Sequence, residues 1–136
     1  MRVFVDTNII ISAILFPNGK LAKVFSHLLE NHTIIISSYV KDECIEVFEK
    51  KFTSKMKQLE IFFEGINFEE FKSPDKIDRK KYPKIRDIKD LPVLVSAVLS
   101  DADILLTGDK DFEDIKIDKP LVFTPSKYYE LIKNKN

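Results

Sequence analysis

Residues 2–15, Arg2-Val3-Phe4-Val5-Asp6-Thr7-Asn8-Ile9-Ile10-Ile11-Ser12-Ala13-Ile14-Leu15, set an apolar run on either side of one acid. Arg2 to Val5 is β-branched and aromatic and reads as a short buried strand. Ile9 to Leu15 is long enough for a helix, and Phe16-Pro17-Asn18-Gly19 ends it. A buried strand that runs through an acid into a helix is the start of an α/β unit.

The same alternation continues outward. Leu21, Val24, Phe25, Leu28 and Leu29 recur at helical spacing and predict a helix over Lys20–Glu30. Three isoleucines give a strand over Thr33–Ile36, and Ser37-Ser38 are suitable caps for a helix from about Tyr39 to Lys50. A further helix is expected from about Ser54 to Gly65. The charged stretch from Asn67 to Lys89 reads as a short strand or turn followed by a long loop. Leu91–Leu99 is apolar almost all round and predicts a buried central helix. Ile104–Thr107 is strand-like, Gly108 turns the chain, Leu121–Phe123 is a last strand and Ser126–Lys133 a closing helix. Alternating strands and helices predict a three-layer α/β/α sandwich around a mainly parallel, roughly five-stranded sheet. Residues 1–136 are expected to form a single domain.

Composition narrows the function. The 136 residues hold 22 Lys+Arg against 22 Asp+Glu, so the formal net charge is zero, which excludes a polycation that coats nucleic acid or membrane. The 44% apolar content excludes a disordered chain. A single cysteine, Cys44, rules out an internal disulfide and a thiolate cluster, and fits a reducing, cytoplasmic setting. Asp6 and Asn8 interrupt the N-terminal apolar run, which is too short for a membrane span and lacks a signal-peptide cleavage pattern. Asp6 is therefore expected in the mature chain, with no membrane partner.

In parallel sheets, functional groups gather beyond the carboxyl ends of the strands at a topological switch point. Asp6 follows the first strand, and Asp109 and Asp111 follow the strand ending at Thr107, so these acids are expected at one sheet edge. The plain alternative for each is a turn or cap Asp held by backbone N–H groups. Asp90 precedes Leu91-Pro92, where a helix wants an N-cap, and it could cap and still offer an oxygen outward. Asp87 reads as solvated loop charge. In the helix from Tyr39, residues Val40, Cys44, Val47 and Phe48 define the buried stripe, and Glu43 falls on it while Glu46 does not. A carboxylate there needs a cation or several donors, unless it snorkels to solvent.

Convergence of Asp6, Glu43, Asp90 and Asp109 or Asp111 would set like charges against one another, and a divalent cation resolves that repulsion. Oxygen-only donors select Mg²⁺ or Mn²⁺. His27 and His32 lie far in sequence from the acids and read as surface residues. The chemistry such a centre performs is phosphodiester hydrolysis.

Val3-Phe4-Val5-Asp6-Thr7-Asn8, Glu43 after Ile36-Ser37-Ser38, Asp90 at the start of an apolar helix, and Leu105-Leu106-Thr107-Gly108-Asp109-Lys110-Asp111-Phe112 together resemble the PIN domain. Within it they resemble VapC-type toxins and related PIN-family toxin components. The resemblance implies a Mg²⁺- or Mn²⁺-dependent endoribonuclease acting on single-stranded RNA, usually a homodimer and often paired with a cognate antitoxin protein. It further implies that Asp6, Glu43, Asp90 and Asp109 form the acidic quartet that holds the metal, that Asp111 is a fifth acid, and that Asn8 and Thr107 orient the acids. Haloacid-dehalogenase-type phosphatases share a similar start but want an acid where this chain has Asn8. The other alternative is a catalytically weak PIN-like scaffold that binds RNA or protein.

Two basic stretches are candidates for the RNA backbone. Arg79, Lys80, Lys81, Lys84 and Arg86 surround Tyr82, a possible stacking partner, while Lys50, Lys51, Lys55 and Lys57 form the second. Solvated charge is the plain alternative for both. Cys44 is expected to be a small buried hydrophobe, and Phe62 and Phe63 core or dimer contacts.

Overall fold

The structure is a computed structural model and describes residues 1–133. Among them the elements run β1 (Arg2–Val5), α1 (Thr7–Leu15), α2 (Lys20–Asn31), β2 (Thr33–Ser37), α3 (Ser38–Lys51), α4 (Met56–Gly65), β3 (Glu69–Phe71), α5 (Leu91–Leu99), β4 (Ile104–Leu106), β5 (Leu121–Phe123) and α6 (Pro125–Lys133). The five strands form one sheet in the order β3-β2-β1-β4-β5. Every pairing is parallel, with Val3 opposite Ile34 on one side and Ile104 on the other. The chain steps from β1 outward through β2 to β3, then returns through α5 to β4 on the far side of β1. Because parallel crossovers are right-handed, reversing the direction of travel places helices on both faces of the sheet, which gives the three layers. The reversal lies between β1 and β4, which makes the carboxyl ends of these two strands the switch point.

The central strands need no polar face. Val3, Phe4, Val5, Ile35, Ile36, Leu105 and Leu106 are each fully buried, as a sheet covered on both sides requires. The edge strands β3 and β5 are only three residues long and more exposed, and β3 carries Glu69 and Glu70, charges that discourage pairing with another chain. In α5 the residues Leu91, Val93, Leu94, Val95, Ser96 and Ala97 are buried, so the all-round apolar pattern does correspond to a core helix. Phe62 lies 5.0 Å from Phe25 ring to ring and 5.6 Å from Phe63, and both pack on the core.

Several boundaries differ from expectation for local reasons. α1 starts at Thr7 rather than Ile9, because the Asp6 carboxylate accepts the Thr7 N–H at 2.7 Å and starts the helix at once. The helix expected from Ser54 starts at Met56 behind a 3₁₀ turn over Thr53–Lys55, where the chain must reverse after α3. No glycine has a positive φ, so Gly108 does not turn the chain by its own freedom. The turn after β4 is made by side chains instead: the Thr107 hydroxyl accepts the Asp109 N–H at 3.0 Å, and the Asp109 carboxylate accepts the Asp111 N–H at 2.9 Å. Beyond β3, Ser73 donates its N–H to Ser38 Oγ at 2.9 Å, and its own hydroxyl pairs with Ser96 Oγ at 2.9 Å. These bonds tie the start of the long loop to both α3 and α5.

Candidate active site

Asp6 directly follows β1 as the N-cap of α1 and is buried, and its two oxygens have different partners. Oδ1 takes the Thr7 N–H at 2.7 Å, and Oδ2 takes the Thr107 hydroxyl at 2.7 Å from the end of β4. The second bond ties the two switch-point strands together through the acid itself. Burial pushes the Asp6 carboxyl above its usual range, the two hydrogen bonds pull it down, and Glu43 and Asp109 push it up again. A carboxylate has about four lone-pair positions, so Asp6 keeps acceptor capacity after these bonds.

Glu43 reaches the same edge from α3. The Thr7 hydroxyl donates to Glu43 Oε1, so Thr7 links α1 to α3 across the site. Glu46 is exposed and pairs with Lys50 at 2.7 Å, one turn along its own helix. Helical spacing and geometry agree in turning Glu43, and not Glu46, toward Asp6. Val47 is only half-buried, so Val40, Cys44 and Phe48 make the buried stripe.

Asp90 does not cap α5 with its side chain. A 3₁₀ turn over Ile88–Asp90 precedes the helix, and Asp87 caps that turn by accepting the Lys89 N–H at 3.0 Å. Asp90 therefore sits inside the turn with its carboxylate released from the backbone. Its Oδ2 is buried with no hydrogen-bond partner among the described residues. Desolvation first, then the charge of Asp109 and a carboxyl–carboxylate hydrogen bond with it, and then the charges of Asp6 and Asp87, push its carboxyl up to about 7. Asp87 is exposed, as solvated charge should be, yet carboxylate oxygens of Asp87, Asp90 and Asp111 lie within 4.8 Å of one another. The one cation paired with these acids among the described residues is Arg86, whose Nε lies 3.7 Å from Asp111 Oδ1.

Sequence reading missed Thr7 and the place of Asp87. Thr7 left a signal, a hydroxyl directly after the first acid, whereas Asp87 depends on a turn that local spacing does not reveal. Asn8 is exposed and its side chain makes no hydrogen bond among the described residues; the hydroxyls of Thr7 and Thr107 make the bonds to the acids. His27 and His32 are half-buried rather than surface residues, and they lie away from the acids: His27 Nδ1 is 2.7 Å from Tyr128 Oη, and His32 Nδ1 is 3.1 Å from the terminal amine. Cys44 is fully buried, and burial pushes its thiol far above the usual range, so no thiolate is offered.

A family model described as the PIN domain matches residues 2–111, which takes in every acid of this edge. The chain belongs to the PIN domain family. Among solved structures, this PIN domain is similar to a chain of a complex described as VapBC2 from Rickettsia felis bound to a DNA fragment from their promoter. That match has 24% identity and a TM-score of 0.69, covering 91% of this chain and 98% of the other, and it shows a shared fold. Proteins of curated function include no match. No single helix among the described residues is long and apolar enough to cross a membrane.

The donor set fits a hard divalent ion. Every candidate ligand is a carboxylate oxygen, neither histidine is near, and Asp90 presents a buried oxygen without a partner. Four or five carboxylates with one exposed arginine between them carry a net negative charge that a dipositive ion relieves.

Proposed function

We propose that this PIN domain is a Mg²⁺- or Mn²⁺-dependent endoribonuclease that hydrolyses single-stranded RNA, and that it is the toxin of a toxin–antitoxin pair. Asp6, Glu43, Asp90 and Asp109 would hold the metal, with Asp111 beside them as a fifth acid. The observation that carries this reading is the gathering of acids from just after β1, from α3, from the turn before α5 and from the turn after β4 at one switch point, nearly without cations, where Glu43 and Asp109 raise Asp6, and Asp109 and Asp6 raise Asp90. When bound, the ion supplies a water of lowered pKa and charge neutralisation at a phosphoryl oxygen.

The chain's own residues prepare that centre. Thr107 and the Thr7 N–H hold the Asp6 carboxylate at both oxygens, so it does not reorganise when a cation arrives. Thr7 holds one oxygen of Glu43 and leaves the other open. Asp109 spends one oxygen on the Asp111 N–H and keeps the second. Asp90, with its carboxyl raised to about 7, can be protonated in the metal-free chain and surrenders that proton as a cation binds. A homodimer, a cognate antitoxin and a cytoplasmic location accompany the toxin reading. It draws support from family membership and from the fold shared with the VapBC2 complex.

Incubating the purified protein with end-labelled single-stranded RNA in Mg²⁺, in Mn²⁺ and in EDTA tests the proposal. Cleavage with either ion, abolished by EDTA and by Asp6→Asn in a folded protein, is the expected result. Folded wild type that cleaves no RNA with either ion would overturn it.

A further inference from the structure

Beside the acidic edge lies a cleft of about 500 Å³ whose lining includes Arg79, Lys80, Tyr82, Lys84, Ile88 and Leu91. We infer that this cleft is a subsite for one nucleotide of single-stranded RNA flanking the scissile phosphate, with Tyr82 meeting the base and Arg79, Lys80 and Lys84 meeting the backbone. The inference rests on the ribonuclease reading and adds to it where the substrate lies.

Three independent features point the same way. The first is unspent charge: among the described residues no ion pair takes up Arg79, Lys80, Lys81 or Lys84, although Asp78 and Asp87 are close in sequence. Those two acids are instead occupied as caps, Asp78 accepting the Lys80 N–H at 3.1 Å and Asp87 the Lys89 N–H at 3.0 Å. The Asp78 cap holds a 3₁₀ turn over Arg79–Lys81 and so presents three consecutive cations. The second feature is an apolar and aromatic lining. Tyr82 is half-buried and Ile88 is 48% exposed, so a flat base placed here would remove water from surface that is otherwise wet. The volume falls within the roughly 300–1,000 Å³ typical of small-ligand clefts.

The third feature is continuity with the acids. Lys84 also lines a second depression of about 370 Å³, where Arg86 and Lys110 stand among three acids, Asp111, Glu113 and Asp114. Lys84, shared by both, and Arg86, 3.7 Å from Asp111, therefore link the cleft to the carboxylate group of Asp87, Asp90 and Asp111. Leu91, which lines the cleft, directly follows Asp90 in the chain. A ligand following this track must bring one negative charge and one flat π-face per unit, and must approach an acidic centre through a bridging cation. Single-stranded nucleic acid meets these conditions. An acidic peptide satisfies the cations but brings no flat π-face to Tyr82 and the apolar lining.

The test measures binding in EDTA, where cleavage is off, by fluorescence anisotropy of a labelled 12-nucleotide oligoadenylate RNA. Wild type, Tyr82→Ala, Tyr82→Phe and Lys80→Ala/Lys84→Ala are compared, with thermal melts to show that each is folded. Wild type is expected to bind without metal, with affinity weakened about tenfold in Tyr82→Ala and little in Tyr82→Phe. The lysine pair is expected to flatten the slope of log affinity against log salt by roughly 1.4, about 0.7 for each phosphate that is no longer neutralised. Wild-type affinity retained in Tyr82→Ala and in the lysine pair, or no binding without metal, would overturn the subsite. So would an unlabelled polyglutamate peptide that displaces the RNA as well as unlabelled oligoadenylate does. RNA cleavage in Mg²⁺ or Mn²⁺ is followed in parallel. Cleavage with unaltered variant affinity removes the subsite and keeps the ribonuclease; binding through the cleft without cleavage removes the ribonuclease and keeps an RNA site.

Discussion

At the amino edge of the sheet, Arg2 Nη1 lies 2.7 Å from Glu69, Lys119 Nζ lies 2.9 Å from Asp101 and 3.5 Å from Asp103, and the Arg2 N–H donates to Asp103 at 2.7 Å. At the carboxyl edge, Asp6, Glu43, Asp90 and Asp109 have threonine hydroxyls, backbone N–H groups and one another, and the one cation paired there among the described residues, Arg86, stands at Asp111. The protonation equilibria move in opposite directions. The Arg2 N–H and then Lys119 hold Asp103 below the usual carboxylate range, whereas burial and like charge push Asp6 and Asp90 above it. An acid answered by a cation is part of the scaffold. Acids gathered without one weaken the folded state and leave room for a cation to repair it.

That contrast breaks most sharply at Asp6. Asp6→Asn should reduce RNA cleavage on the order of a thousandfold, since a weakened metal site forfeits several kcal/mol of transition-state stabilisation. Initial rates on labelled RNA measure it. Thr107→Val should cost about ten- to a hundredfold in the same assay, because a hydrogen bond to a charged group contributes about 1.5–3 kcal/mol and this one holds Asp6 in place. Near-complete activity in Thr107→Val would show that Asp6 needs no such support.

The two edges should also give stability opposite slopes with pH. Asp90 binds its proton more tightly in the folded chain than in the unfolded one, so its contribution is greatest below about pH 4 and is lost as pH rises toward about 7. Asp103 is shifted down, so its contribution is present above about pH 4 and lost as pH falls below it. Melting curves in EDTA should therefore show the metal-free protein losing stability between about pH 5 and 7, and Asp90→Asn should flatten that loss. The smallest effect belongs to the amino edge. Lys119→Ala removes two exposed ion pairs, which solvent screens, and should barely move the melting temperature and leave the cleavage rate unchanged.

Periodicity made most of this fold legible. The runs at Arg2–Val5 and Thr33–Ile36 and the helical spacing of Leu21, Val24, Phe25 and Leu28 are local consequences of burial, so they appear in the chain before it folds. Glu43 was distinguishable from Glu46 for the same reason, since the helical stripe determines which one faces the core side. What could not be read locally was where side chains send their hydrogen bonds. Asp90 looks like an N-cap to Leu91-Pro92, but the 3₁₀ turn over Ile88–Asp90 transfers capping to Asp87 and frees Asp90. The bridge from Thr7 to Glu43 spans 36 positions in the chain and exists only once α1 and α3 pack together. The two basic stretches looked alike in sequence. They part in the structure at the cleft: in the second stretch Lys50 and Lys57 pair with Glu46 and Glu60 on their own helices while Lys51 and Lys55 pair with no acid among the described residues, whereas Arg79, Lys80 and Lys84 of the first, equally unpaired, line one cleft together with Tyr82.

The most direct test of a cation site at the carboxyl edge is the Mn²⁺-induced rise in melting temperature, compared among wild type, Asp6→Asn and Asp101→Asn. Asp101 serves as the amino-edge control because its positive φ of 59° suits asparagine. A saturable rise in wild type and Asp101→Asn that largely disappears in Asp6→Asn is the predicted result. Equal rises in all three proteins would contradict the account.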